Sequence, residues 1–160
     1  MRSKRFKKLP EKTSVLAAEG IEKLIPTIKK NCTTKFDESI DISLQINNKQ
    51  KKNEINIRTV INLPGGSGKK VKVAVVCEET KAADAKSGQA EIRNDKDGNI
   101  GVSIGKKSFA DDRLIKNYNA IIDTLEKEKS NNTVKGELVK SAFITSTMGV
   151  SYKLKLGKSI

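Results

Sequence analysis

Apolar and polar residues alternate in several short segments of the chain, a pattern typical of strands with one buried face. Residues 36–46 give the clearest case, with polar residues between the inward positions Ile40, Ile42, Leu44 and Ile46. A second strand is predicted around the outward Arg58, with inward positions Ile55, Ile57, Ile61 and Leu63. The chain ends in a strand that is interrupted at residues 143–149 and resumes with inward Val150, Tyr152, Leu154 and Leu156. QAEIR (89–93) and IGVSIG (100–105) predict two further strands, joined by a tight hairpin turn at Asp97-Gly98.

Other segments repeat apolar residues every three or four positions, which predicts helices with one buried stripe. One helix is predicted from Thr13 or Ser14 through Val15, Leu16 and Ala18 to Ile28, with a kink or break near Pro26 because proline lacks an N–H group. The other covers about 111–128, with a stripe of Leu114, Ile115, Tyr118, Ile121, Ile122 and Leu125. Residues 71–77 are more continuously apolar, which is typical of a strand covered on both faces, and residues 78–88 predict a short helix.

The order of these elements indicates the fold class. Strands and helices mix without regular β-α-β alternation, so we expect an α+β fold. In such a fold the helices lie on one face of a largely antiparallel sheet. The opposite face would be open and basic.

The charge of the chain indicates the class of partner. The 160 residues suffice for one domain, or one domain and part of another. Lys and Arg number 32 against 19 acidic residues, a net charge of +13, which opposes compaction and favours a polyanionic partner. A basic surface that serves only solubility is the alternative interpretation.

The apolar segments and the cysteines bear on location. The longest apolar run, residues 73–77, is far too short to span a membrane, and no secretory signal follows the basic start. Cys32 and Cys77 are expected to be buried, reduced thiols. We therefore expect a soluble, intracellular protein without a membrane partner.

Several catalytic and cofactor sites are excluded by residue type and spacing. The chain has no histidine, which removes Ser-His and Cys-His nucleophile pairs and imidazole metal ligands. PGGSGKK (64–70) has the wrong spacing for a phosphate loop, and Lys70 stands where a hydroxyl residue is required. NDKDGN (94–99) is not a calcium loop, because Arg93 and Ile104 occupy positions that need carboxylates. We expect no enzymatic activity, no metal and no cofactor.

Two short stretches are better explained by RNA recognition. Lys35-Phe36 places a cation beside an aromatic ring that can stack on bases, with burial of Phe36 in the core as the alternative. FITSTMG (143–149) surrounds Met148 with hydroxyl groups and a glycine, which can hydrogen-bond phosphate and ribose while the thioether lies against a sugar or base. A purely structural turn would explain the glycine but not the exposed methionine.

Four segments resemble a known family in order and spacing: TKFDESIDISLQI (34–46), NIRTVINLPGGSGKKVKVAVV (56–76), RNDKDGNIGVSIGKKSF (93–109) and KSAFITSTMG (140–149). They look like the large-subunit ribosomal protein one family, whose members form the mobile stalk beside the tRNA exit site. The resemblance implies a structural constituent of the large ribosomal subunit that binds the stalk RNA and also represses its own mRNA by binding the leader. It further implies exit-site tRNA as a partner, no obligate protein partner, and a location in cytoplasmic ribosomes. A stand-alone RNA-binding regulator that is not incorporated in ribosomes is the alternative.

The resemblance carries RNA-binding roles to nine positions of this chain: Lys35, Phe36, Ser39, Asp95, Lys96, Ser141, Thr147, Met148 and Gly149. The chain departs from the family pattern at Gly65 and Gly101, where the family often has histidine.

The resemblance also implies a discontinuous RNA-binding domain, residues 1–70 and 88–160, into which a second α/β domain is inserted. Residues 71–87 would be the remnant or junction of that insertion, since one strand and one short helix cannot supply its several β-α units. Three explanations remain open: the protein naturally lacks the domain, engineering removed it, or the chain omits its residues.

Overall fold

The computed structural model describes residues 18–47, 56–68, 89–131 and 136–156, together with Lys4. In chain order these residues form α1 (Ile21–Asn31), β1 (Ser39–Ile46), β2 (Arg58–Asn62), β3 (Gln89–Arg93), β4 (Asn99–Lys106), α2 (Asp111–Asn131), β5 (Val139–Ser146) and β6 (Tyr152–Leu154). One sheet has the strand order β4-β1-β5-β6 and the other consists of β2 and β3, and all of these pairings are antiparallel. The predicted α+β class with antiparallel strands is confirmed, although the strands form two sheets rather than one.

Buried and more exposed residues alternate along β1, as predicted. Its inward residues Ile40, Ile42, Leu44 and Ile46 are at most 3% exposed. Both helices add to the same core, α2 packing against β4 and β2 while α1 packs against β5 and α2. The outward residues of β1 therefore lie on a sheet face that these helices leave uncovered.

The first helix begins later than predicted and passes through its proline. Gly20 is extended (φ −66°, ψ 151°), and α1 starts after it. Glu19 forms a parallel bridge with Leu154, and its carbonyl accepts the Lys155 N–H at 2.9 Å. This pairing holds residues 18–20 extended, so the prediction that Ala18 is helical was wrong. The predicted break near Pro26 was also wrong, because α1 continues to Asn31 and buries residues on both sides of Pro26.

Some sequence predictions fall on positions that lie outside the described residues. They are the helical positions Val15 and Leu16, the inward Ile55, the strand 71–77 with Cys77, and the helix 78–88. Cys32 is a buried free thiol, as predicted, and burial is the main cause of its raised pKa.

The connection between β3 and β4 is a tight antiparallel turn, as predicted: the Gly98 N–H donates to the Asp95 carbonyl at 3.1 Å, and the Asp95 N–H donates to the Asn99 carbonyl at 2.9 Å. Gly98 has the positive φ, 79°, that such a turn favours. The two strands belong to different sheets and share one isolated bridge, Asn94 with Ile100. The Asp95 carboxylate accepts N–H groups from Asp97 at 3.0 Å and from Asn99 at 2.6 Å. The backbone and the side chain of Asp95 therefore close this turn together.

A buried asparagine lies in the middle of the apolar stripe of α2. Asn117 is 0% exposed, and its side chain accepts the Gly65 N–H at 2.6 Å. It donates to the carbonyl of Gly66 at 3.0 Å and to that of Ile104 at 2.7 Å. A Cβ at position 65 would lie 2.8 Å from the Arg113 carbonyl oxygen, so the chain must be glycine there to approach the helix. Asn117 thus joins the loop after β2 and strand β4 to α2.

We expect Asn117→Ala to lower the free energy of unfolding by about 2–4 kcal/mol, because it leaves buried backbone groups without partners. Asn119→Ala is the matched control, since Asn119 is exposed on the same helix and should change stability by about 0.5 kcal/mol or less. Chemical denaturation of both variants measures the difference. Equal stabilities would show that the Asn117 hydrogen bonds do not hold the loop.

Candidate nucleic-acid interface

The nine predicted RNA-binding residues lie in two groups at opposite ends of β1. The first, called here the Met148 group, lies at the start of β1 and consists of Lys35, Phe36, Ser39, Thr147, Met148 and Gly149. The second, called the Ser141 group, lies at the end of β1 and consists of Asp95, Lys96 and Ser141. Ser141 pairs with Gln45 in the sheet, and Gly98 of the β3–β4 connection accepts the Ile46 N–H at 2.7 Å. Ser39 and Gln45 are six residues apart on one strand, so the groups are separated by about 20 Å.

Thr147 extends the pairing of β1 and β5 by one more residue. Its N–H donates to the Ser39 carbonyl at 3.0 Å, and its hydroxyl oxygen accepts the Ser39 N–H at 3.0 Å. The Lys106 ammonium donates to the Ser39 hydroxyl at 2.8 Å. The Thr147 hydroxyl is therefore already used to position the strand ends, and its removal would affect the fold as well as any ligand.

A buried carboxylate joins the two chain segments of the Met148 group. Glu38 is 0% exposed; one carboxylate oxygen accepts the Thr34 hydroxyl at 2.7 Å, and the other accepts the Met148 N–H at 3.1 Å. Burial, the largest effect, raises the pKa of Glu38, but the bonds from Thr34, Met148 and Ser146 together lower the pKa below its ordinary value. Glu38 is thus held ionised between residues 34–38 and the turn at 146–148.

Sequence reasoning missed Glu38, although a signal was present. The alternation that puts Ile40 and Ile42 inward also puts Glu38 inward. A charged residue at an inward position needs hydrogen-bond donors around it. The pattern therefore marked Glu38 as the place where a second segment had to supply them.

Phe36 and Met148 expose large apolar side chains at the same end of the sheet. Phe36 is 53% exposed and Met148 is 48% exposed, so the core alternative for Phe36 was wrong. Gly149 follows in a position where a Cβ would overlap the Ser146 hydroxyl. That hydroxyl bonds to Glu38, so glycine is needed at 149 to keep the carboxylate and the turn together.

The uncovered side of the four-stranded sheet, called here the open face, connects the two groups. Its residues are arranged in four cross-strand rows, Lys106-Ser39-Thr147, Ser103-Asp41-Thr145, Gly101-Ser43-Phe143-Lys153 and Asn99-Gln45-Ser141. The charged side chains in these rows are Asp41, Lys106 and Lys153. The face is open as predicted, but it is mostly uncharged rather than basic.

Phe143 lies near the centre of the open face and was not among the predicted residues. It is 36% exposed, while its neighbours Ala142 and Ile144 are fully buried. The same alternation would have identified it, because an aromatic residue between two inward positions must point outward.

Asp95 is held by hydrogen bonds within the β3–β4 connection, whereas Lys96 is exposed there. The Asp95 carboxylate accepts three hydrogen bonds, from the Asp97 N–H and from the N–H and side-chain amide of Asn99. The bond from the Asn99 N–H is the main cause of the lowered pKa of Asp95. Asp95 therefore shapes the connection in which the exposed Lys96 lies, and contact of either residue with RNA stays a prediction.

The described part of the chain contains neither a metal cluster nor a membrane span. Within it, no three His, Cys, Asp or Glu side chains are placed to hold a metal ion together. None of its helices is long and apolar enough to cross a membrane.

We expect Glu38→Gln to lower the free energy of unfolding at pH 7 by about 1–3 kcal/mol. The reason is that the NH2 group of the new amide must face a hydrogen-bond donor whose bond the carboxylate oxygen accepted. Ionised Glu38 contributes stability that is present above its ordinary pKa of 4.5 and is lost as pH falls through its lower folded-state pKa. The stability difference between wild type and variant should therefore narrow in acid. Denaturation at several pH values measures this stability difference, and Glu137→Gln, at an exposed position, is the control. A stability difference that does not change with pH would contradict an ionised Glu38.

Comparison with known proteins supplies the family. The sequence matches the model of the ribosomal protein L1p/L10e family in two segments, residues 28–88 and 80–150. It is 54% identical, over 229 aligned positions, to the large ribosomal subunit protein uL1 of Pelagibacter ubique, with 100% of both chains covered. Because this chain has 160 residues, at least 69 of those positions have no counterpart in it.

More distant relatives carry the same name. The uL1 proteins of Deinococcus radiodurans and of a Janthinobacterium species are 27% and 28% identical, with 96% and 95% of each chain covered. The matched segments include residues of both groups at the ends of β1. The chain therefore belongs to the ribosomal protein L1p/L10e family, whose relatives here are structural proteins of the large ribosomal subunit and not enzymes.

Proposed function

We propose that this protein binds the ribosomal RNA of the mobile stalk, near the tRNA exit site, through the open face and the two groups at its ends. One observation carries the proposal: Phe36 and Met148 are both exposed near the start of β1, in two segments that the buried Glu38 carboxylate joins. Exposed apolar side chains held in this way are typical of a binding surface. The net charge of +13 favours RNA as the ligand.

The Met148 group is organised before any ligand arrives. The Glu38 carboxylate and the Ser39 backbone hold the turn at 147–148 by hydrogen bonds of 3.0–3.1 Å. Binding therefore does not have to order this turn, which lowers the entropic cost of association. Phe36 would stack on a base or lie on a ribose, and Met148 would pack beside it. Lys35 and Lys96, both exposed, would contact phosphates at the two ends of the surface.

The same surface would also serve regulation. A messenger leader that presents the stalk RNA structure would compete for it, so the free protein would repress its own translation. Exit-site tRNA is a further proposed partner. The alternative, a regulator that stays outside ribosomes, differs in one measurable respect: it would not co-sediment with large subunits in a salt gradient.

We further propose that residues 1–70 and 88–160 form one RNA-binding domain and that 71–87 is the junction of a reduced insertion. Three facts support this division. The family model matches in two segments that meet at 80–88, and at least 69 positions of the uL1 relative have no counterpart here. The four-stranded sheet also takes β1 from the first segment and β4, β5 and β6 from the second.

Met148→Ala is expected to weaken binding of a stalk RNA transcript by about tenfold, or about 1.4 kcal/mol, with little change in melting temperature. Val60→Ala is the control, because Val60 is 61% exposed on β2, outside the open face. Melting and filter binding on the same preparations measure both effects. Had the side chain been packed inside, the loss of stability would be about 2–5 kcal/mol. An early-melting variant that binds normally once folded would contradict the proposed surface.

Wild-type binding should also weaken with salt. Each neutralised phosphate should contribute about 0.7–0.9 to the slope of log affinity against log salt. A slope near zero would contradict the electrostatic part of the proposal.

Replacing residues 71–87 with a short Gly/Ser linker should leave RNA affinity within about threefold of wild type, a change below about 0.7 kcal/mol. The reason is that both groups of proposed contact residues lie outside this segment. Filter binding and circular dichroism measure affinity and fold. A hundredfold loss with an intact fold would place part of the RNA surface within 71–87.

A further inference from the structure

We propose that the open face binds one unpaired nucleobase against Phe143, in the gap that Gly101 and Ser43 leave beside it. This inference rests on the proposed function, because RNA must first be held by the Met148 and Ser141 groups. It assigns a role to three residues that the family resemblance did not indicate. The ligand is a base in a single-stranded or bulged position, whose face is free to stack.

The cross-strand row of Phe143 has an unusual composition. From β4 to β6 it consists of Gly101, Ser43, Phe143 and Lys153. Side chains in strands stand roughly perpendicular to the sheet, so Phe143 rises beside two positions with little or no side chain. Neighbouring strands are about 4.8 Å apart, which leaves about 10 Å between the backbones of Gly101 and Phe143. Stacked aromatic rings need a centroid distance of about 4.5–7 Å, so one base fits.

Among the described residues, the space directly above Gly101 is open. A Cβ added at Gly101 would meet no atom within 4 Å, whereas one at Gly65 would approach the Arg113 carbonyl to 2.8 Å. No close packing explains glycine at 101, and glycine in a strand interior weakens the strand. An open glycine of this kind lets a ligand approach the backbone closely.

The position of the row favours RNA as the occupant, given the proposed function. RNA that contacts both the Met148 group and the Ser141 group must cross the row of Phe143, because that row lies between them on β1 and β5. Lys153, the cross-strand partner of Phe143, can pair with the phosphate of the stacked nucleotide. Asp41, one row away, disfavours a phosphate there and can accept a hydrogen bond from a base amino group or a ribose hydroxyl.

Three substitutions at two positions test the inference with a transcript of the stalk segment of large-subunit ribosomal RNA. Phe143→Leu keeps an apolar side chain but removes the ring face, so affinity should fall between about fivefold and 150-fold. Phe143→Tyr restores the ring and should bind within about twofold of wild type. Gly101→Val fills the gap, so it should weaken RNA binding while the melting temperature stays equal or rises.

A spectroscopic measurement separates stacking from a structural role. The unpaired bases of the transcript are replaced one at a time by fluorescent 2-aminopurine. One position should lose fluorescence on binding wild-type protein and keep it when Phe143→Leu is added to saturation. Val60→Ala should behave as wild type in every measurement.

The outcomes distinguish this inference from the proposed function. If Phe143→Leu or Gly101→Val binds as wild type does while Met148→Ala loses affinity, the base site is wrong and the RNA surface stands. If wild-type protein does not bind the transcript, the proposed function and the base site both fail. Loss of affinity in both variants, with the fluorescence change at one base, establishes the site.

Discussion

The ionised carboxylate of Glu38 is the interaction on which the candidate surface depends. Burying a charge is costly unless hydrogen-bond donors surround it. Here the donors come from Thr34 nearby in sequence and from Met148, which lies 110 residues further along the chain. Removing either segment would leave the charge buried without partners, so the two segments must stay together. The exposure of Met148 and Phe36 is a consequence, because the backbone around both is committed to this junction.

The central strand β1 couples the core to the open face. Its inward residues are fully buried between two neighbouring strands and the helices, and its outward residues form the middle of every cross-strand row. Because side chains alternate, a shift of one residue in register would exchange the two sets. The packing of Ile40, Ile42 and Leu44 therefore fixes where Ser39, Asp41 and Ser43 stand. A rigid core of this kind lets a nearly uncharged face keep a defined shape.

Local patterns were sufficient for part of this structure and not for the rest. The in-and-out order of β1, the stripe of α2 and the exposure of Met148 follow from spacing within a few residues. The start of α1 does not, because Glu19 is held extended by backbone bonds to residues 153–155 at the other end of the chain. Asn117 and Glu38 were missed for the same reason, since their partners lie 52 and 110 residues away. Residue type singled out Lys35-Phe36 and the stretch 143–149, whereas the full set of nine site residues came from the family resemblance. The alternation of β5 would have identified Phe143.

The distribution of charge separates affinity from selectivity on this surface. Exposed lysines such as Lys35 and Lys96 lie at its two ends, while the rows between them hold mostly hydroxyl groups and an aromatic ring, with Asp41, Lys106 and Lys153 as their charged side chains. Phosphate contacts are the part of RNA binding that weakens with salt and carries no sequence information. Contacts to bases and riboses through the uncharged side chains of these rows change little with salt. Loss of Phe36, Met148 or Phe143 should therefore shift the affinity by the same factor at every salt concentration. Loss of Lys35 or Lys96 should instead reduce the slope, and the two kinds of residue can be told apart by that difference.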